Sequence, residues 1–442
     1  SETSNPTEID GNWMPSGDDS AGYAYSQQFY DWKGRPTITR HPDHTTNAPR
    51  ESEISYEGCG CAGSQVVTFY DEGQVDHQNP ASRQRRKRQV EYDVFGRPFK
   101  TQAYDWSGAV YSTTINNYTV RDQVVQISQV TGTSGASQIT TKQYDGYGRL
   151  WKSRSPIETG DTVNEYFDDD TVRTITDARQ AVATFAYNNR HMIQGITYSI
   201  SSGIAPTPNV HYTYDENGSR TSMTDGLGTI TYAYNELNRM TSETRQFTAT
   251  FGQYHPALPG TYKLTYNYNL IGQTKHIGYE SSSQPGDNGY IDYALDKIGN
   301  MTGVTGSPFA NITNYSTEMK YRASGELKSL TYGSTLKLTA SYTSRQQLQS
   351  LKLKKQDNTL VMDKTYQYYA NARIKFSDDG VNEDFDRAFR YDQVGRLEES
   401  WTGSQARNYI NGVPVGTDDA PNHLSYQNDV WGDHLSQSGK YW

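Results

Sequence analysis

Residues 144–150 read Tyr-Asp-Gly-Tyr-Gly-Arg-Leu, and the phrase returns along the chain. It stands as YDWKGRP at 30–36, YDVFGRP at 92–98 and YDQVGRL at 391–397, and as YDENGSR at 214–220. Weaker copies begin at Tyr70, Tyr104, Tyr166, Tyr187, Tyr234, Tyr268, Leu295, Tyr321, Tyr342, Tyr369 and Asn428. Neighbouring copies lie about one short supersecondary unit apart: Tyr144 to Tyr166, Tyr166 to Tyr187, Tyr214 to Tyr234 and Tyr369 to Tyr391 are 20–22 residues each. A chain that repeats one unit builds its fold by stacking that unit on itself.

The unit reads as a β-hairpin. Ahead of one motif Thr229, Thr231 and Ala233 alternate with Ile230, Tyr232 and Tyr234, the period of a strand with two different faces. Asp or Asn after the tyrosine suits the mouth of a tight turn. Glycine four residues after the tyrosine supplies a positive φ that other residues resist. The apolar residue after the arginine restarts a strand. The motif residues are Tyr30, Asp31, Gly34 and Arg35; Tyr92, Asp93, Gly96 and Arg97; Tyr144, Asp145, Gly148 and Arg149; Tyr214, Asp215, Gly218 and Arg220; Tyr391, Asp392, Gly395 and Arg396. A lone hairpin is marginal in water, so each must pair with its neighbours, and a long twisted ribbon winds instead of lying flat.

Composition agrees. Of 442 residues only 33% are hydrophobic, a level that by itself suggests disorder, but 36 Tyr, 12 Phe and 7 Trp supply large strand-forming side chains. Lys and Arg number 41 against 50 Asp and Glu, a net charge of −9 that gives no whole-chain argument for nucleic acid. No apolar run approaches the roughly 18 residues of a spanning helix, so membrane insertion is not expected. The first ten residues, SETSNPTEID, are polar and lack a starting Met, as in a trimmed product.

These residues resemble the YD-repeat family, also called Rhs repeats, whose pattern YDxxGRL recurs every 20–22 residues, as it does here from about Tyr30 onward. The resemblance implies a large extracytoplasmic protein whose hairpins form a spiralling sheet able to close into a hollow shell. In polymorphic toxins and insecticidal toxin complexes such a shell holds a toxic C-terminal domain. In teneurins it is an adhesion scaffold. The DPxGL motif that ends the toxin-type core, and whose aspartates contribute to autoproteolysis, does not occur in this sequence.

Chemistry is sparse. His41, Asp43 and His44 come nearest to a metal motif, but no further ligands follow at defined spacing, so a polar loop is expected and no cofactor is assigned. Cys59 and Cys61 flank one glycine. They read as two thiols in a Gly-rich turn, as a small strained disulfide, or as half of a soft-metal site completed by another chain. The basic run Arg83–Arg88 reads as a solvated loop, a protease site or a contact for an acidic surface. Asp168, Asp169 and Asp170 sit at a turn without the ligand ladder of a calcium loop. Asn117, Asn300, Asn311 and Asn314 lie in glycosylation sequons. The tyrosines track the Asp-Gly turns while tryptophans are irregular, so the aromatic ladders read as wall packing, with glycan binding the weaker alternative.

The expectation is therefore an all-β chain. An irregular segment, 1–22, precedes a hairpin array, 23–442, that is open at its C-terminal end and forms a curved wall, tube or partial shell. Its expected function is structural, non-enzymatic and extracellular or at the cell surface, with pairing through sheet edges to copies of itself or to further repeats of a longer chain. The alternatives are a shell fragment of an Rhs-type toxin and an adhesion or glycan-binding module.

Overall fold

The alternating runs become strands that end on the repeat tyrosines. Gly228–Tyr234 pairs antiparallel with Met240–Phe247, and the register slips by one residue between Ala233 and Tyr234, where the turn begins. The same slip recurs at Phe29/Tyr30, Glu91/Tyr92, Gln143/Tyr144, Thr213/Tyr214 and Arg390/Tyr391. In this computed structural model, which describes residues 1–20, 22–45, 47–58, 65–76, 79–200, 207–247, 260–281, 288–309, 311–413 and 423–439, 58% of the described residues are strand and 3% helix. Thirty-three strands belong to one antiparallel sheet. The all-β expectation holds.

The chain divides into two units, one of residues 1–139 with 319–442 and one of 140–318. The second unit is a simple succession of paired hairpins, each strand joined to the next in sequence. The first unit carries three additions. Glu2–Ser4, within the segment expected to be irregular, pairs with Tyr25–Tyr30 and covers one side of that strand. A small hairpin, Gln74–Asp76 with Asn79–Gln84, is inserted between Gln65–Tyr70 and Lys87–Tyr92, which still pair with each other. A two-turn helix, Ser404–Ile410, packs Ala406 and Tyr409 onto Phe376, Ala388 and Trp401. Trp401 and Tyr409 stack with centroids 4.1 Å apart, and this cluster is the most deeply buried apolar core described. Elsewhere few side chains are fully buried, as expected of a sheet whose two faces have no second layer over most of their area.

Candidate functional site

The most regular feature among the described residues is the repeated turn. Among the described residues eighteen five-residue turns share one pair of backbone bonds. The first residue's N–H donates to the fifth residue's carbonyl, and the fourth residue's N–H donates to the first residue's carbonyl, as at Asp145 to Arg149 (2.9 Å) and Gly148 to Asp145 (3.0 Å). The fourth residue is left-handed each time, and Gly148 has φ +88°. The Asp145 carboxylate then does three things. Its Oδ1 accepts from the N–H groups of Tyr147 and Arg149, and its Oδ2 accepts from Arg149 Nε at 2.7 Å. Asp31/Arg35, Asp93/Arg97 and Asp392/Arg396 repeat the carboxylate–guanidinium bond at the same 2.7 Å. Burial works to raise the pKa of Asp145, but the backbone bond and the guanidinium of Arg149 outweigh it, and the carboxyl lies below its usual value.

The motif arginine also reaches forward. Arg149 Nη1 donates to the Phe167 carbonyl (3.2 Å) and to Asp170 (2.7 Å) in the next turn, while its guanidinium lies 4.5 Å from the Tyr166 ring centre. Arg97 does the same to Thr119, Asp122 and Tyr118. The tyrosine reaches back. Ten tyrosine hydroxyls, on Tyr56, Tyr118, Tyr166, Tyr187, Tyr214, Tyr234, Tyr268, Tyr342, Tyr368 and Tyr391, each donate to the carbonyl of the residue just after the preceding turn, at 2.6–3.1 Å. Tyrosine is needed for this because phenylalanine has no donor. Repeats that carry the motif arginine, as at Arg97 and Arg149, are thus tied to the next by an aromatic–cation contact and by charge-assisted bonds along the turn edge.

In the first unit the later turns also meet the early part of the chain. Arg322 pairs with Asp19 at 2.6 Å, both side chains largely buried. Lys328 pairs with Glu8 (3.2 Å), and Asn5 donates to the Ser344 carbonyl (2.6 Å). Arg345 lies between Glu72 (3.3 Å) and Asp43 (3.8 Å). Asn371 donates to Asp71 (3.1 Å), Arg86 to the Asp392 carbonyl (2.9 Å), and Arg396 to the Tyr111 hydroxyl (2.9 Å). These seam contacts are polar: the early partners run backwards, Asp19, Glu8 and Asn5, against Arg322, Lys328 and Ser344, and forwards, Asp71, Arg86 and Tyr111, against Asn371, Asp392 and Arg396.

The other singled-out residues find partners in the same framework. His41 Nε2 lies 2.6 Å from Glu72, His44 Nδ1 accepts from the Arg50 N–H, and Asp43 pairs with Arg50 at 3.3 Å, so the three serve the seam and its approaches. Among the described residues no three His, Cys, Asp or Glu side chains are grouped to hold a metal. The basic run is no solvated loop: Arg85 pairs with Glu53, Arg88 lies over the Phe69 ring, and Arg86 pairs with Asp71. Asp169 caps Thr171, and Asp170 takes the arginine of the preceding turn. Cys59 and Cys61 lie outside the described residues. No described helix is long and apolar enough to cross a membrane, which says nothing of strands.

Two motif assignments shift. Arg220 is not the clasp arginine of its turn: Ser219 holds that place, its N–H on Asp215 (2.8 Å), while Arg220 lies on the next strand beside the Tyr212 and Tyr232 rings. Tyr368, not Tyr369, is the laddering tyrosine of its unit. Tyr369 opens the turn and hydrogen-bonds the Phe389 carbonyl and Tyr409.

The model of the family described as RHS Repeat matches residues 214–246, which hold two of the five-residue turns, Asp215–Ser219 and Asn235–Arg239, and the strands between them. The chain aligns over nearly its whole length with solved structures. A TcdB2–TccC3–TEV crystal structure matches with a TM-score of 0.70 at 13% identity, covering 99% of this chain and 23% of that one. TcdB2–TccC3 without its hypervariable C-terminal region gives 0.69 at 14% identity, covering 96% and 22%. A Photorhabdus luminescens Tc holotoxin pore gives 0.52 at 13%, covering 96% and 26%. At such identities the likeness is one of fold, and the chain spans about a quarter of the length of these proteins. No curated protein sequence matches it.

Proposed function

We propose that the chain is a structural wall segment of an RHS-type shell, the encapsulating layer of a toxin-like protein outside the cytoplasm, and that it has no catalytic role of its own. The alignment of 99% of its length with one stretch of a much longer toxin chain carries this reading. The turn ladder supports it, because every motif residue is engaged in holding one hairpin to the next. The polar seam of the first unit supports it too: it shows how ribbon meets ribbon, through turn residues on one side and early strands on the other.

The test is made on the full product of the native gene. Limited proteolysis should leave residues 1–442 as a resistant block and should spare any segment the shell holds until the shell is opened by denaturant. A product in which such a segment is cut as fast as a free peptide would overturn encapsulation. The self-assembling alternative separates by sedimentation. Long regular particles from the 442-residue chain alone would favour pairing of copies over service within one longer chain.

A further inference from the structure

Six cations in this sheet face a carboxylate across the strands. In direct register Glu91 faces Lys100, Glu51 faces Arg40, Asp379 faces Lys364, Glu399 faces Arg390, Glu280 faces Lys263 and Asp363 faces Lys352. The bond lengths in these pairs run from 2.7 to 3.6 Å. Between Leu336–Tyr342 and Leu348–Lys355 a cation instead faces a cation. Lys337 directly faces Lys354, with Thr331 on the far side of Lys337. Like charges directly opposite destabilise a sheet, and no described carboxylate pairs with either lysine.

These two lysines line a groove of about 460 Å³ together with Thr331, Thr339, Lys352 and Lys355. Lys355 opens the next turn and stands at the groove's rim. Lys352 is neutralised by Asp363 at 3.1 Å and Lys355 interacts with Asp357 in its own turn, which leaves Lys337 and Lys354 as the charges with no paired carboxylate among the described residues. The threonine hydroxyls add donors that need not ionise. The volume falls within the roughly 300–1,000 Å³ of small-molecule pockets.

We propose that this groove is an anion site for a small phosphorylated molecule, the phosphate bridging Lys337 and Lys354 and drawing Lys355 in from the rim. The bound dianion supplies the negative charge that the six matched pairs carry within the protein. Point-charge lysines suit a phosphate whose orientation is set by neighbouring hydroxyls.

The experiment uses the 442-residue chain with inorganic pyrophosphate as probe and sodium chloride at equal ionic strength as control. Calorimetry should show one pyrophosphate per chain, and the unfolding temperature should rise with pyrophosphate well beyond the chloride control. Lys337→Glu should weaken binding by about tenfold or more, a loss of about 1.4 kcal/mol. The same variant should unfold at a higher temperature than the parent when no anion is present, because Glu then faces Lys354. Lys354→Gln should lose binding and, with the like charge opposite Lys337 removed, should unfold at a somewhat higher temperature than the parent when no anion is present. Stabilisation no greater than chloride's would overturn the proposal, as would undiminished binding in both variants. Duplex DNA that binds through Lys337 while pyrophosphate does not would also overturn the small-ligand assignment.

Discussion

The turns of residues 140–318 and the later turns of the first unit are closed by the same backbone bonds but open with different residues. In 140–318 the first turn residue is Asp145, Phe167, Asp177, Asn188, Asp215, Asn235, Asn269 and Asp296, nearly all of them self-capping. From 319 onward the series begins Arg322, Thr343, Lys355 and Tyr369. In the first set the tips point apolar groups to solvent, with Tyr147 85%, Leu270 101% and Ile298 81% exposed. In the second set Ala370 is 7% exposed, and Arg322 and Arg345 are buried against Asp19 and Glu72. Two of these departures, Arg322 and Tyr369, are the residues that reach out of the turn. At Arg322 and Tyr369 the weakened motif coincides with a partner outside the turn, while the turn Asp392–Arg396 keeps the motif and still meets Arg86 and Tyr111; the backbone closure survives in each because it needs no particular side chain.

The largest effect expected from this contrast is at Arg322. Arg322→Ala leaves a mostly buried Asp19 without its cation and should cost on the order of 3–5 kcal/mol. Arg173→Ala, whose pair with Glu165 is about half exposed, should cost about 0–1 kcal/mol. Equal costs in equilibrium denaturation would erase the distinction between the two sets of turns.

Next come the left-handed positions. Gly148→Val should cost about 1–3 kcal/mol of backbone strain. Gly395→Val should cost more, since φ is +93° and a Cβ there would fall 2.0 Å from Arg373 Nη2. Ala372, at φ +68°, should gain about 1 kcal/mol on replacement by Gly, because a left-handed residue with a Cβ pays roughly 1–2 kcal/mol. A Gly148→Val variant as stable as its parent would remove the turn argument.

The ladder should act equally in both regions. Tyr166→Phe and Tyr368→Phe should each lose about 0.5–1.5 kcal/mol, the worth of one hydroxyl bond. A difference between them beyond that range would show that the seam stiffens one ladder and not the other.

The smallest effect is at alkaline pH. Burial first, and then the hydroxyl's bond to Glu243, push Tyr266 up to about 12 from 10.0. A folded value above the unfolded one favours the protonated phenol. Its contribution is therefore complete below about pH 10 and lost as pH rises from there through 12. Tyr266→Phe should flatten that part of the stability profile, read by near-UV absorbance during unfolding.

The hairpin, its turn and its strand ends were legible wherever Tyr, Asp and Gly stood together, as at 92–98 and 144–150. Turns lacking glycine were harder to see. The turn Asp177–Ala181 carries Gln180 at the left-handed place, and Thr119–Gln123 carries Asp122. Neither is preceded by a full Tyr-Asp pair, so propensity gave no signal where pairing of the flanking strands enforces the conformation. Arg220 was misassigned because the pattern tolerates one extra residue that the geometry does not. The helix Ser404–Ile410 is too short to show periodicity; it is held by Tyr409 stacked on Trp401 and by Arg407 paired with Asp386 and Glu383. The seam could not be read at all, since it joins residues some 300 positions apart.

The inserted hairpin at 74–84 has a wider consequence. Asp71 and Arg86 close its base as Asp and Arg close an ordinary turn: Asp71 N–H donates to the Arg86 carbonyl, and Arg86 N–H donates to Asp71 Oδ1. The hairpin of Gln74–Asp76 and Asn79–Gln84 lies outside the ladder that joins Gln65–Tyr70 to Lys87–Tyr92, and the entropy of closing a longer excursion grows only slowly with its length. A gene of this kind can gain or exchange passages at such a clasp without retuning the neighbouring strands. A foreign peptide tag spliced between Gln74 and Gln84 would be displayed on a fabric whose pattern it leaves undisturbed.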